Sequence, residues 1–280
     1  MFGPLFSDFR EEADWLGTDR SHDVFMQEST SELTFIPGFH ITMILAGVMH
    51  LMHLGVGQWT IGNVLLILSL GGFFGTHHGD RVERLNALLF TKFQQRLCLD
   101  SSQALFAANL LGLASSGREF PVFKGKAAHT RHVLMWLNDF LYDVGDSQSL
   151  EAIAAHGFTD QLHLLHSTKA PAFTQAEADR FAHSGRMALQ AWSVLARRAQ
   201  AKQQFLWQLK PKLHAWDHLT RDVASTRVNP AALWEFCDED LNGKIVRLPR
   251  SGRLGASRKT LAKRVCQRWR LLLYLKSRPS

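Results

Sequence analysis

Residues 48–75 contain no Lys, Arg, Asp or Glu, and a stretch of that length and composition leaves a chain only two destinations. It is either a helix buried on most of its surface inside a protein core or a membrane span, for which roughly 20 apolar residues suffice. Leu54 to Gly75 is long enough for a span. However, Gly55, Gly57, Gly62, Gly71 and Gly72 interrupt it, Gln58 and Asn63 lie inside it, and no basic residue flanks its N-terminal side to orient it. A buried core helix is therefore the expectation, with a span at 54–75 as the alternative.

A core helix of this kind needs other helices around it, and the rest of the chain provides them. Apolar residues recur at helical spacing over 80–97, 101–115, 124–143, 147–166, 174–208, 210–225 and 257–276. Asp100-Ser101-Ser102 and Asp146-Ser147 are candidate N-caps, Thr174 with Glu177 three residues on is a capping-box pattern, and Pro211 suits a first helical turn. The strongest strand candidate is Phe39 to Ala46, an apolar run that follows the Pro37-Gly38 turn. Residues 1–34 show no sustained period and read as a loosely ordered segment. The expected division is thus 1–34, a domain over 35–248 and a basic helix within 249–280.

The charge is divided as unevenly as the hydropathy. Of 32 Lys and Arg, twelve lie in residues 241–280, which hold no Asp or Glu; residues 1–240 keep 20 against 25 acids, a net of −5 inside an overall +7. Within that tail Leu261, Val265, Trp269 and Leu272 form one helical stripe, and Arg258, Lys259, Lys263, Arg264, Arg268 and Arg270 crowd the remaining surface. Such a helix fits a polyanion, nucleic acid through sequence-blind phosphate contacts or an anionic membrane surface, while a solvated terminal helix is the plain alternative. Cys98, Cys237 and Cys266 are widely spaced and make neither a disulfide framework nor a CxxC zinc pair, which points to a reducing, intracellular setting. The first twenty residues do not read as a secretory signal.

Fourteen histidines raise the question of a metal. His50 and His53, His129 and His132, and His163 and His166 are three apart, and His214 and His218 are four apart beside Asp217, spacings that put each pair on one helical face. A zinc site needs three or four converging ligands, and no HExxH or nearby Cys completes any of these pairs; structural histidines are the simpler reading. One acidic cluster stands before the basic tail, Glu235 to Asp240. Two-metal phosphodiester chemistry needs carboxylates from separate parts of the chain, so this cluster alone is half a site, or an acidic helix start that balances the macrodipole.

Taken in order, four segments resemble the DDE-type DNA transposases of eukaryotes, of the CACTA and Kyakuja-Dileera-Zisupton kind. Pro37-Gly38-Phe39 and the strand after it lead into Met49-His50-Leu51-Met52-His53-Leu54-Gly55-Val56, similar to the family's "D-x-M-H-x-x-D/H-L-G-V" segment. Lys126 to Met135 is similar to its "K-A-x-x-x-x-H-V-L-M" helix, and Pro211-Lys212-Leu213-His214 to His218 to its "P-K-x-H-x-x-x-H" helix. Asp238-Glu239-Asp240 falls where a late acidic residue follows the helical insertion. The resemblance implies a mainly α protein with a small mixed β-sheet, an RNase H-like core heavily decorated with helices; the residues alone leave an all-α fold open. It implies an ancestral metal-dependent DNA strand transfer and a nuclear location, with Glu239 as a vestigial site residue and His50, His53, Lys212, His214 and His218 as family-motif positions. Where the family places an Asp, two residues before the Met-His pair, this chain has Gly47. Glycine offers no carboxylate to Mg²⁺, so the expectation is a degenerate, inactive copy without a cofactor, Mg²⁺ entering only through a residual site, and with DNA or another nucleic acid as partner. No small-molecule substrate is indicated.

Overall fold

The computed structural model describes residues 8–10, 12–13, 21–29, 32–37, 47–74, 83–85, 87, 119–233 and 267. The chain separates into two compact units, Met1–Leu233 and Trp234–Ser280. The first is mainly helical. Short helix α1 (His22–Glu28) and a 3₁₀ turn (Glu32–Phe35) precede a junction helix (Met49–Val56), which runs directly into α2 (Gly57–Leu70). After these come α3 (Ala127–Asp143), α4 (Leu150–Ser167), α5 (Gln175–Ala201), α6 (Pro211–Thr226) and a 3₁₀ turn (Pro230–Leu233). Among the described residues the sole β pairing is one antiparallel bridge between Ala172 and Val228. The strand expected at 39–46 and the helix expected at 101–115 lie outside the described residues, as do nearly all of those at 80–97 and 257–276.

Helix starts follow the local chemistry. Thr174 and Glu177 close the expected capping box: Glu177 Oε2 accepts from the Thr174 backbone N–H at 2.8 Å while Thr174 Oγ1 accepts from Glu177 N–H. Pro211 occupies the first turn of α6, where its missing N–H costs nothing. The start expected at Asp146-Ser147 is corrected by three residues, because Ser149 caps α4 by accepting from Ala152 N–H at 3.0 Å. The helix expected over 174–208 ends at Ala201, where Gln203 turns to φ 53° and Trp207 to φ 54° and the chain folds back.

The charge-free segment is largely buried as far as Ser69, and its polar side chains show how. Thr60, Asn63 and Ser69 each donate to the backbone carbonyl four residues earlier, Val56, Trp59 and Leu65, all at 2.7 Å; their polar atoms are thus paired within the helix itself. Asn63 Oδ1 also accepts from the Trp207 N–H at 2.7 Å, pinning the loop after α5 onto α2. The main body of the core is α4 against α5 and α5 against α6. Trp192, Trp207, Trp216, Phe158 and Phe181 are fully buried there, with Trp192 and Trp207 edge to face at 4.8 Å. Gly157 allows the close approach of α4 and α5: a Cβ there would stand 2.4 Å from the Ser184 carbonyl oxygen. Gln161, wholly buried, ties three helices together. Its amide N–H groups donate to Phe181 O and Thr220 Oγ1, and its oxygen accepts from Trp216 Nε1 at 2.8 Å.

Candidate functional site

The junction helix is where the sequence motifs meet. It is wound in wide π-type turns and is broken by non-helical backbone at Leu54 (φ −100°, ψ 20°) and Gly55 (φ −140°, ψ −108°). Gly47 stands at its start, its carbonyl accepting from Leu51 N–H at 2.9 Å. A break of this kind strands carbonyl oxygens that a continuous helix would have paired. Lys212, at the first turn of α6, occupies that place: its Nζ donates to His50 O at 3.0 Å and to Leu54 O at 2.9 Å. A Cβ on residue 55 would lie 3.0 Å from His50 O and 3.1 Å from Lys212 Cδ, so a side chain there would make the lysine stem and the carbonyl give way by a few tenths of an ångström. Burial lowers the Lys212 pKa from its ordinary value, but two charge-assisted hydrogen bonds favour the ammonium form. Beside it Lys210 stands over the Trp59 ring at 4.6 Å.

Opposite α6, the junction helix faces α3 and α4. His53 is buried, with its ring edge to face with that of His166 at 6.1 Å. Arg131 reaches His166, Nη1 to Nδ1 at 3.1 Å; a guanidinium only donates, so His166 Nδ1 accepts and that ring is neutral. Burial first, and then the charge of Arg131, push His53 down to about 4 and His166 down to about 3. His129 and His132, one turn apart on α3, are lowered for the same leading reason. The remaining motif pair, His214 and His218, touches ring to ring with Nε2 atoms 3.1 Å apart. That distance makes one nitrogen a donor and the other an acceptor, so the pair does not carry two protons on the facing atoms. Asp217 between them is fully buried on the Arg221 guanidinium at 3.1 Å; burial raises its pKa and Arg221 opposes the rise.

Of the sequence candidates, then, His50, His53, Lys212, His214 and His218 all lie on the junction helix or α6, and Lys212 physically joins the first motif to the third. Glu239 and the tail residues Arg258, Lys259, Lys263, Arg264, Arg268 and Arg270 lie outside the described residues. Among the described residues no group of three or more His, Cys, Asp or Glu is placed to hold a metal ion. Sequence reasoning missed Arg131, which stands inside the second motif between His129 and His132; its signal was there, a cation flanked by two imidazoles at the start of a helix. It also missed the Asp160–Arg180–Ser184 cluster on α4 and α5, where burial works against the carboxylate but hydrogen bonds from Arg180 and Ser184 outweigh it and lower the Asp160 pKa. Nearby, a cleft of about 220 Å³ is lined by Asn138, Tyr142, His156, Ser184 and Met187. Three of its polar groups already pair with protein, His156 Nδ1 with Asn138 Oδ1 at 3.3 Å and Ser184 with Asp160 at 2.6 Å.

This arrangement can hold a kinked backbone rigid and keep several imidazoles neutral. Comparison of the chain with protein-family models, with curated proteins and with solved structures returned no match.

Proposed function

We propose that this chain is a transposase-derived helical protein that no longer performs strand transfer and that contacts nucleic acid through its basic tail, with the nucleus as its setting. One observation carries the reading: segments that resemble separate motifs of one family converge in space. Lys212 of the third motif binds two carbonyls of the first across about 160 residues of sequence, while Thr130 and Leu134 of the second lie against Gly57, where the junction helix passes into α2. Convergence of remote motifs is what common descent of a site would leave behind. Gly47, at the start of the junction helix, has no side-chain oxygen for a metal, which supports loss of the reaction. On this reading an RNase H-like core with a small mixed sheet would be built around residues 39–46, and Glu239 would be the surviving acid.

The reading is tested with supercoiled plasmid and Mg²⁺. The full chain is expected to leave it intact; Mg²⁺-dependent nicking by the purified chain would overturn the inactive assignment, and nicking gained by Gly47→Asp would mark a site lacking only that acid. Duplex binding is expected to fall with salt. Six tail cations on phosphates give a log–log slope of about −5, and binding indifferent to salt would overturn the tail's role. A second reading has its own support: the regular structure of the described residues is helical apart from a single bridge, which suits an all-α scaffold of independent descent. A parallel or mixed sheet around residues 39–46 in an experimental structure would exclude it.

A further inference from the structure

We propose that the end of the bundle formed by the start of α3 and the end of α4 is a second docking surface for the phosphate backbone of nucleic acid, separate from the tail. It rests on the nucleic-acid part of the reading above and not on descent from a transposase. Three cations, Lys126, Arg131 and Lys169, and three imidazoles, His129, His132 and His166, come from two helices and the loop beyond them. Arg131 contacts His166 at 3.1 Å, Lys169 Nζ donates to His166 O at 3.2 Å, and the charge of Lys126 acts on His129 and that of Arg131 on His132. The permanent charges that lower these three imidazoles are those of Lys126, Arg131 and Lys169. Glu177, hydrogen-bonded to Thr168 next to Lys169, is engaged in the capping box of α5.

Stability alone would not choose this arrangement. The N-terminal end of a helix is the positive end of its dipole and favours acids; α3 has none in its first turn and instead places Lys126 at its cap position and His129, Arg131 and His132 just inside. Like charges so gathered repel, and an anion between them relieves the repulsion. Lys126 and Lys169 are exposed, whereas Arg131 is half-buried with Nη1 on His166, so two surface ammonium groups are backed by the charge of a fixed guanidinium, a set suited to successive phosphates. The exposed positions between them, Ala128, His163, Ser167 and Ala170, include no large apolar side chain of the sort an interfacial membrane contact buries. That favours a nucleic-acid backbone over a lipid surface.

The test uses the full chain and a fluorescent random-sequence 30-base-pair duplex, titrated by anisotropy at several salt concentrations. Lys126→Gln with Lys169→Gln is expected to weaken binding about five- to tenfold at low salt and to lower the log–log salt slope by about 2, two phosphates' worth. The Lys126→Glu, Lys169→Glu pair is expected to weaken it further, and the Lys126→Arg, Lys169→Arg pair to retain it. Both lysines are exposed, and an unchanged urea midpoint shows that the fold is intact. Wild-type affinity and slope in the Gln and Glu variants would overturn the proposal. So would a loss of binding to phosphatidylserine vesicles without loss on the duplex, which would assign the surface to membranes. Neutralising the six tail cations separates the two readings: if that abolishes duplex binding while the patch variants bind as wild type, the patch falls and the tail stands; if the converse holds, the tail assignment falls and the patch stands.

Discussion

Lys212 is the residue whose removal should be felt most. Lys212→Met keeps the stem and deletes the ammonium, leaving the His50 and Leu54 carbonyls without their donor; hydrogen bonds to charged groups are worth about 1.5–3 kcal/mol each, and the site is only half-buried. A loss of about 2–3 kcal/mol in urea unfolding is expected, and Lys212→Arg should restore it only in part, because the longer, planar guanidinium must fit where a lysine stem already lies close to Gly55. His53 makes a second residue-scale prediction. Its pKa is about 4 folded against about 6.5 free, so the unfolded chain takes up the proton first as pH falls. Stability is therefore full above about pH 6.5 and declines as pH falls toward 4, by on the order of 3 kcal/mol for this one ring. His166 extends the same trend toward pH 3. Thermal melts from pH 7.5 to 4 should show the decline, and His53→Phe should flatten part of it; an unchanged slope in that variant would show that His53 does not set it.

At the scale of the element, close helix approaches and one buried amide carry the fold. Gly157→Ala would push a methyl into the Ser184 carbonyl, forcing α4 from α5 at a cost of about 1–3 kcal/mol. Gln161→Leu fills the space but leaves Trp216 Nε1 without its acceptor and should cost about as much; urea midpoints of the two variants check both. The elements themselves were largely legible. Thr174 with Glu177, and Pro211, announced α5 and α6, because capping is local chemistry that a few adjacent residues decide. The end of α5 was not legible: nothing in Lys202-Gln203-Gln204 forbids helix, and the reversal there is held by the distant Asn63 on the Trp207 backbone. The kink at Leu54–Gly55 was hidden for a similar reason. The sequence shows a glycine, whereas the cause is a lysine nearly the whole unit away. The histidine pairs were visible as spacings, but which of them would meet Arg131 depends on how α3 and α4 are rotated, and that is a property of packing.

For the whole molecule, charge is the quantity that separates the two units. Arg258, Lys259, Lys263, Arg264, Arg268 and Arg270 account for most of the overall +7, so their replacement by Gln should bring the chain near neutrality. Elution from heparin is expected to move to markedly lower salt, and unchanged elution would place the affinity elsewhere. The Lys212 tether has a further consequence for how the chain comes to be made. A nascent chain elongates from its N-terminus, and the charge-free helix is synthesised long before the residue that completes its bend. Until α6 emerges, the junction helix has stranded carbonyls and the apolar face of α2 lacks part of its cover. The interval between residues 70 and 212 is therefore the period in which a folding helper would find this chain, and a ribosome-stalled intermediate ending before Lys212 should be the form that such a helper retains.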